Sequence, residues 1–376
     1  MLHFDLNTPS LIALIIFGLG FVLQLFFWLG FFTKLAWYKR SKSSKQELPT
    51  VSIVICARNE YHHLIRHLPQ VLEQDYPHFE VVVVNDCSHD ESEEWLDDMA
   101  RKHKHLKIVH LRQSLNFFHG KKFPLSMGIK SASYEWLLLT DADCLPESKF
   151  WLQNMASAFT ADTDVVLGYG AYKQKPGLLN MLIRYDTLHI GMQYLSMALA
   201  GKPYMGVGRN LSYRKSVFIK NKGFTAHYKI LSGDDDLFVS QIAHKSNTAV
   251  VIGEGARTLS EPKISFGSWF RQKRRHLSTA KYYKRATKFY LGTYAFSQFA
   301  FYAGFVWLMW LPFSFLVPVG AFLIRLLIQL LITKACMKRL GEKDLLLLSP
   351  MAEVFFILLN VILMLLSLLN KKSTWK

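Results

Sequence analysis

The sequence has 376 residues, of which 51% are apolar and 19% charged, and its formal net charge is +17. This length holds one large domain and additional elements, and the apolar share is above that of ordinary soluble proteins. Because the apolar residues are concentrated at both ends, the composition excludes a wholly soluble chain and indicates a membrane protein with a water-soluble middle. The four cysteines lack metal-ligand spacing and are expected to be reduced and structural.

The N-terminal apolar segment, Leu11 to Phe32, contains no charged residue and is long enough to cross a hydrocarbon core of ~30 Å. Lysines and one arginine follow it directly, between Lys34 and Lys45. The positive-inside rule then places the N-terminus outside and the middle of the chain in the cytoplasm.

The C-terminal part predicts three further spans. The segment from Lys288 to Lys334 carries one charge, Arg325, and prolines near its midpoint, which is typical of two spans joined by a tight turn. The stretch Leu345 to Leu369 is interrupted only by Glu353 and predicts the last span. As charges within spans, Arg325 and Glu353 are expected to line an acceptor channel, or, for Arg325, to reach the interface.

Apolar runs typical of buried strands alternate with helical patterns in the middle of the chain. The predicted strands are 51–56, 79–84, 107–111 and the run ending at Asp141, with a later strand at 164–169. The predicted helices are 61–74, 91–103, 122–131, 148–159, a long apolar stretch 178–200, a helix opened by residues 232–237 that runs to about 245, and a basic helix 268–285. This order predicts an α/β fold whose mostly parallel sheet is covered on both faces.

Two carboxylates, Asp141 and Asp143, follow a buried strand. At this spacing in extended chain they point to the same side, about 6 to 7 Å apart, and can share one divalent cation. Open α/β sheets bind ligands at this edge, although the pair can also cap a turn or helix. No GxGxxG follows the first strand, and Gly120-Lys121-Lys122 has no glycine loop ahead of it. Phosphates are therefore expected to be held by metal and cationic side chains.

A second acidic group, Asp234-Asp235-Asp236, lies at the opening of a predicted helix. Crowded carboxylates have a raised proton affinity, as a general base requires, but acids at a helix start are also favoured by the helix dipole. The basic helix indicates either a diphosphate clamp or attraction to anionic lipid. Since it abuts a span, nucleic acid is not an expected partner.

Seven segments in order resemble those of membrane-integral family 2 glycosyltransferases, whose members include cellulose, chitin and hyaluronan synthases and ceramide glucosyltransferase. They are VSIVICARNE at 51–60, VVVVNDCSHDES at 81–92, HGKKFPLSMGI at 119–129, LLLTDADC at 137–144, GVGRNLSYRKSVF at 206–218, SGDDDL at 232–237 and QKRRH at 272–276. The resemblance implies a Rossmann-like GT-A domain over 41–290, between an N-terminal transmembrane helix in 1–40 and two to three C-terminal ones in 291–376.

The resemblance also implies functional residues. The metal, Mg²⁺ or Mn²⁺, would be held by Asp141 and Asp143. The general base would be Asp234, or Asp235 instead, because Gly233 stands where the family usually has Glu. Residues expected to contact the nucleotide-sugar are Ala57, Arg58, Glu60, Asp86, Lys121, Asp141, Ala142, Gln272, Arg275 and His276.

The implied activity is inverting transfer of a sugar from a UDP- or GDP-sugar to a lipid or glycan acceptor at the membrane. His276 replaces the Trp of the family's QxxRW signature, which favours a lipid or short-glycan acceptor over a polymer. The expected location is a bacterial inner membrane with the catalytic domain in the cytoplasm. A competing hypothesis is a non-catalytic nucleotide-binding membrane anchor or transporter component, and the acidic cluster at 234–236 argues against it. The sequence leaves the oligomeric state open.

Overall fold

The computed structural model describes residues 8–39, 48–112, 120–230 and 232–369, with side chains up to residue 366. The chain forms two compact units. The helical unit lies within Met1–Tyr38 and Tyr283–Lys371, and the sheet unit lies within Lys39–Tyr282.

The helices and strands of the described residues are as follows in chain order. The helices are α1 (Thr8–Leu25), which continues through a π-helical turn (Phe26–Phe32) into α2 (Thr33–Ala36), α3 (Tyr61–Leu72), α4 (Ser92–Lys102), α5 (Lys122–Ser131), α6 (Trp151–Ala156), α7 (Leu178–Leu199), α8 (Lys215–Lys220), α9 (Asp236–Ile242), α10 (Phe266–Leu277), α11 (Arg285–Trp310), α12 (Leu316–Leu340) and α13 (Ser349–Leu369). The strands are β1 (Val51–Ala57), β2 (Phe79–Asp86), β3 (Leu106–Leu111), β4 (Trp136–Asp141), β5 (Cys144–Pro146), β6 (Val165–Leu167), β7 (Gly170–Tyr172), β8 (Leu211–Arg214), β9 (Thr248–Val250) and β10 (Thr258–Ser260).

The sheet unit is built on a seven-stranded sheet in the order β3-β2-β1-β4-β8-β6-β9. Strands β3, β2, β1 and β4 are mutually parallel, β8 is antiparallel to both of its neighbours, and β9 is parallel to β6. Val81 and Leu138 lie opposite Ile53 in the centre, and all three side chains are fully buried. Parallel strands that are buried on both faces need continuous apolar runs, as the sequences of these strands have. The observed pairing confirms the predicted mostly parallel α/β fold.

The second half of the sheet unit differs from the sequence prediction. The strand expected at 164–169 is shorter, and β7 follows it in a separate three-stranded sheet with order β5-β10-β7. The helix expected over 148–159 covers only Trp151–Ala156, and the basic helix expected over 268–285 ends at Leu277. The strands β5, β9 and β10 have three residues each, too few for a periodic pattern to reveal them.

Three helical segments are long and apolar enough to cross a membrane, judged by length and composition over the described residues: Thr8–Ala36, Leu316–Leu340 and Ser349–Leu366. The predicted turn between α11 and α12 is present, but α11 is not among these three segments. Helix α11 packs closely on α1 at Gly20. A Cβ atom built on this glycine would lie 2.5 Å from the backbone nitrogen of Phe301. Of four predicted spans, three therefore meet the expected length and hydropathy.

Arg325 and Glu353 pair with each other inside the helical unit. Their side chains are 1% and 2% exposed, and Arg325 Nη2 lies 2.5 Å from Glu353 Oε1. Further hydrogen bonds to the pair come from Gln24 of α1, Gln298 and Tyr302 of α11 and Gln329 of α12, while the buried Nε of Arg325 has no partner among the described residues. Four helices thus meet at one buried polar cluster, and Arg325 does not extend to the surface of its unit.

Candidate functional site

The carboxyl ends of the three central parallel strands carry the predicted polar residues side by side. Cys56 of β1 is in register with Asp141 of β4, and Ala57 is in register with Asn85 of β2, one residue before Asp86. Parallel strands in register bring their carboxyl ends to one edge of the sheet, where α/β proteins bind ligands. The structure therefore brings Asp86 and Asp141 to opposite flanks of the end of β1.

Lys121, at the start of α5, forms an ion pair with Asp141, and both side chains are half-buried. Burial alone would raise the pKa of Asp141, but the Lys121 ammonium outweighs it, so the pKa lies below the usual value. The thiol of Cys56 lies in the electric field of Lys121, Asp141, Asp234 and Asp86, while burial raises the pKa of Cys56 to about 12. Asp234, distant in sequence, thus lies at the same edge.

Asp141, Asp143 and Cys144 have ligand atoms that all lie within 4.8 Å of one another. Carboxylate oxygens are ligands of hard divalent cations such as Mg²⁺ and Mn²⁺. The Cys144 thiol is buried, which raises its pKa well above the usual value, and it donates a hydrogen bond to Asp143 at 3.3 Å. A protonated thiol is a poor ligand, so the arrangement fits a cation held by the two aspartates, with Cys144 orienting Asp143.

The carboxylates of Asp234 and Asp235 have different partners. Asp235 accepts hydrogen bonds from the backbone N–H groups of Gly208 and Asp236, at 2.9 and 2.8 Å, and caps α9. Burial, followed by repulsion from Asp235, raises the pKa of Asp234 to about 6, and the charges of Lys121 and Asp141 also act on it. Asp235 is thus engaged in structure, whereas Asp234 faces the group around Asp141.

Gly233 occupies the position where the resembling family usually has Glu. Its φ is +96°, and a Cβ atom there would lie 2.5 Å from Leu237 Cδ1. A glutamate does not fit this backbone without rearrangement, which accounts for the departure in physical terms.

On the other side of β1, Arg58 forms an ion pair with Asp86 at 3.7 Å, and Ala57 is buried at the strand end. Glu60 accepts from His63 Nδ1 at 2.5 Å when that nitrogen is protonated. Burial raises the pKa of Glu60, and Asp143 is one of the charges that act on it. These residues lie at the β2 side of β1, whereas the pair of Lys121 and Asp141 lies at the β4 side.

The three predicted site residues on the basic helix have different surroundings. Gln272 of α10 donates to the Tyr172 hydroxyl at 3.4 Å, and exposed His276 lies within electrostatic reach of Asp141. The Nε of Arg275 is buried, and among the described residues no hydrogen-bond partner lies near it.

Ala142, between the two aspartates, has a buried side chain. Its backbone oxygen lies 3.2 Å from His67 Nδ1, so this residue contributes to the site through its backbone.

One cation at the site was missed by reasoning from the sequence. Arg209 stacks over the Tyr172 ring at 4.5 Å, donates to Ser260 Oγ at 3.1 Å, and acts electrostatically on Asp141 and Cys144. Its sequence signal is the glycine-rich segment 201–210, which allows backbone to approach a ligand. That segment gives no indication which of its side chains faces the aspartates.

Comparison with known proteins gives a consistent result. Residues 52–221 match the family described as glycosyl transferase family 2. A poly-beta-1,6-N-acetyl-D-glucosamine synthase of Staphylococcus epidermidis is 34% identical over 203 residues, which cover 52% of this chain and 47% of that protein. The probable glycosyltransferase YdaM of Bacillus subtilis is 23% identical over 279 residues, covering 72% of this chain and 65% of the relative. The chain thus spans about half to two thirds of the length of these relatives.

Among solved structures, mannosyltransferase PcManGT from Pyrobaculum calidifontis, in complex with GDP-Man and Mn²⁺, has a TM-score of 0.58 and is 18% identical. The match covers 89% of this chain and 100% of that one. It shows the shared GT-A-like fold.

Proposed function

We propose, from the premise that residues 52–221 form a glycosyl transferase family 2 domain, that this chain is an inverting glycosyltransferase. Its donor is a UDP- or GDP-sugar, and its acceptor is a lipid or glycan at the membrane. Support for a nucleotide-sugar donor comes from the GDP-Man complex of the structural neighbour, and support for a glycan product comes from the name of the Staphylococcus relative.

The observation that carries the proposal is the convergence of two acidic groups at one sheet edge. Asp141 ends β4 and Asp143 follows it, Asp234 comes from a segment more than 90 residues later, and Lys121 acts on both Asp141 and Asp234. A domain that only bound nucleotide would need the first group but not a second carboxylate of raised proton affinity. A transferase needs both, since it must hold a diphosphate and deprotonate an acceptor.

In the proposed reaction Asp234 takes the proton of the acceptor hydroxyl, and the hydroxyl oxygen attacks the anomeric carbon of the donor sugar. The bond from that carbon to the diphosphate oxygen breaks, and the nucleoside diphosphate leaves with the electron pair. A single displacement of this kind inverts the anomeric configuration, and it needs no covalent nucleophile. We assign the base to Asp234 because both carboxylate oxygens of Asp235 already accept backbone hydrogen bonds.

Charge on the leaving diphosphate requires stabilisation. Lys121 and Arg209 are the cations we assign to this task, since both act on the aspartates of the site. A divalent cation held by Asp141 and Asp143 would supply further charge neutralisation at the diphosphate when bound. Arg58, Glu60 and Asp86 are assigned to the base and ribose, at the flank of β1 next to β2.

The three long apolar helices support a membrane location, and the cluster of cations after the first of them supports a cytoplasmic sheet unit. The bacterial origin of the relatives supports a location in a bacterial cell membrane. The His at position 276 supports a lipid or short-glycan acceptor.

The test uses the full chain purified in detergent, a panel of UDP- and GDP-sugars, and membrane lipid or saccharide acceptors. With Mn²⁺ or Mg²⁺ we expect nucleoside diphosphate release and incorporation of labelled sugar for one donor. EDTA and Asp143→Asn should remove this activity, whereas the exposed control Asp162→Asn should retain it. Binding of a nucleotide-sugar without transfer or hydrolysis of any donor would instead support the non-catalytic hypothesis.

A further inference from the structure

Lys122, next to the ion-paired Lys121, is almost completely buried. Its side chain starts α5 and is 4% exposed, whereas lysines seldom lie inside a protein unless their charge is compensated. Neither family resemblance nor charge distribution assigns it a role. Its surroundings therefore need a physical explanation.

The Lys122 ammonium donates three hydrogen bonds, all to backbone carbonyl oxygens. The acceptors are His227 at 2.7 Å, Ile230 at 2.6 Å and Ser232 at 2.8 Å. A lysine ammonium has three N–H donors, so every one is used. The acceptors belong to the chain just before Asp234, and the segment that delivers this carboxylate is thus tied to the start of α5.

Compensating charge comes from the same acidic cluster. Burial lowers the pKa of Lys122 to about 8, while Asp234, Asp236 and Asp235 oppose that effect. Hydrogen bonds from a charged donor are about twice as strong as neutral ones, so the three contacts restrain the segment strongly.

We propose that Lys122 is a positioning residue for the reaction of the proposed function, on which this inference rests. It holds the backbone before Asp234 so that the carboxylate lies against Lys121 and Asp141. Because Lys121 and Lys122 are consecutive, one helix start contacts both the metal-binding aspartate and the segment carrying the base. The distance between base and donor is then set by a rigid element. Lys122 itself does not contact the donor, since it is buried and its donors are used.

The test compares Lys122→Met, which removes the ammonium but keeps an unbranched side chain, with the control Lys130→Met at an exposed position of the same helix. The full chain in detergent is assayed for kcat, for donor KM and for the Kd of the nucleoside diphosphate with Mn²⁺. We expect kcat to fall by about 100-fold in Lys122→Met, as a displacement of about 1 Å costs, with donor KM and Kd within about threefold of wild type. Lys130→Met should match the wild type.

A kcat of Lys122→Met equal to that of Lys130→Met would overturn the inference. So would a donor affinity of Lys122→Met that falls by the same factor as its kcat. If Lys122→Met does not fold, Lys122→Arg decides: its planar head cannot direct three N–H groups at these carbonyls, so a lowered kcat with unchanged donor KM supports the role and a wild-type kcat contradicts it. An inactive wild type would instead contradict the proposed function, so the two failures are distinguishable.

Discussion

Two neighbouring aspartates in this protein have separate tasks because their hydrogen bonds differ. Asp235 accepts from two backbone N–H groups and fixes the start of α9, whereas Asp234 lies among the charges of the site. Repulsion between them is nevertheless useful. It is the second cause, after burial, that raises the pKa of Asp234 to about 6.

This predicts the pH dependence of transfer. A base acts only when deprotonated, so kcat/KM should rise about tenfold per pH unit below pH 6 and level off above it. Asp235→Asn removes a neighbouring negative charge but keeps a residue that can cap a helix. The pKa of Asp234 then falls, and the acid limb should move to lower pH. An unchanged limb, or one at higher pH, in a profile from pH 4.5 to 8 would contradict the assignment of Asp234.

At the residue level the sequence predicted the acidic groups better than the cations. Asp86 and Asp141 end apolar strands, and their meeting at one edge is a consequence of parallel pairing. Arg209 was not predicted, because its approach to the aspartates depends on the glycine-rich segment 201–210. Lys122 was not predicted either, since a lysine at a helix start is normally solvated.

At the level of elements, the antiparallel part of the sheet unit is joined by one buried side chain. Asn210, just before β8, is fully buried; its Nδ2 donates to Tyr169 and Ala256 carbonyls at 3.0 and 2.8 Å, and its Oδ1 accepts from Trp151 Nε1 at 3.0 Å. These contacts connect α6, the link between β6 and β7, and the segment that leads to β10.

Asn210→Ala should therefore lower the free energy of unfolding of the sheet unit by about 3 kcal/mol, because three buried partners lose their hydrogen bonds. Chemical denaturation followed by tryptophan fluorescence measures this. Asn221→Ala is the matched control, since that side chain donates to Val217 of the adjoining helix α8, four residues away in the chain, and it should cost less than about 1 kcal/mol. Equal effects of the two substitutions would show that Asn210 does not join these elements.

Elements were predictable from the sequence where they are long and regular. The strands β1, β2 and β4 have six to eight residues of mainly apolar chain and were identified. The strands β5, β9 and β10 depend on partners distant in sequence, for example β10 on both β5 and β7. Three residues give no pattern of their own, so these strands, and with them the second sheet, were not identified.

At the scale of the whole molecule, the helical unit has its own polar centre. The pair of Arg325 and Glu353, predicted from the sequence as channel-lining or interfacial charges, joins α12 to α13 and is hydrogen-bonded by residues of α1 and α11. Sequence alone shows both charges within spans but not that they meet. The hydropathy of a helix indicates whether it can cross a membrane. Which side chains of neighbouring helices pair with its charged residues depends on how the helices pack.

Glu353→Gln should destabilise the helical unit by about 3 kcal/mol or more, because it leaves the Arg325 guanidinium buried without a counter-charge. Exchanging the two residues, Arg325→Glu with Glu353→Arg, should recover part of this loss. Thermal unfolding of detergent-solubilised protein tests it, with exposed Lys334→Gln of α12 as the control. If the double variant is destabilised by as much as, or more than, the sum of the losses in Arg325→Glu and Glu353→Arg, a role for the pair itself is contradicted.

The central claim is that the two acidic groups at the edge of the sheet act together in catalysis, and the most direct measurement is the turnover of Asp234→Asn. Its nucleoside diphosphate release is compared with its affinity for the donor in the presence of Mn²⁺. We predict a loss of at least about 100-fold in kcat with donor affinity nearly unchanged, since the base contacts the acceptor and not the donor. Wild-type turnover in Asp234→Asn would contradict the account.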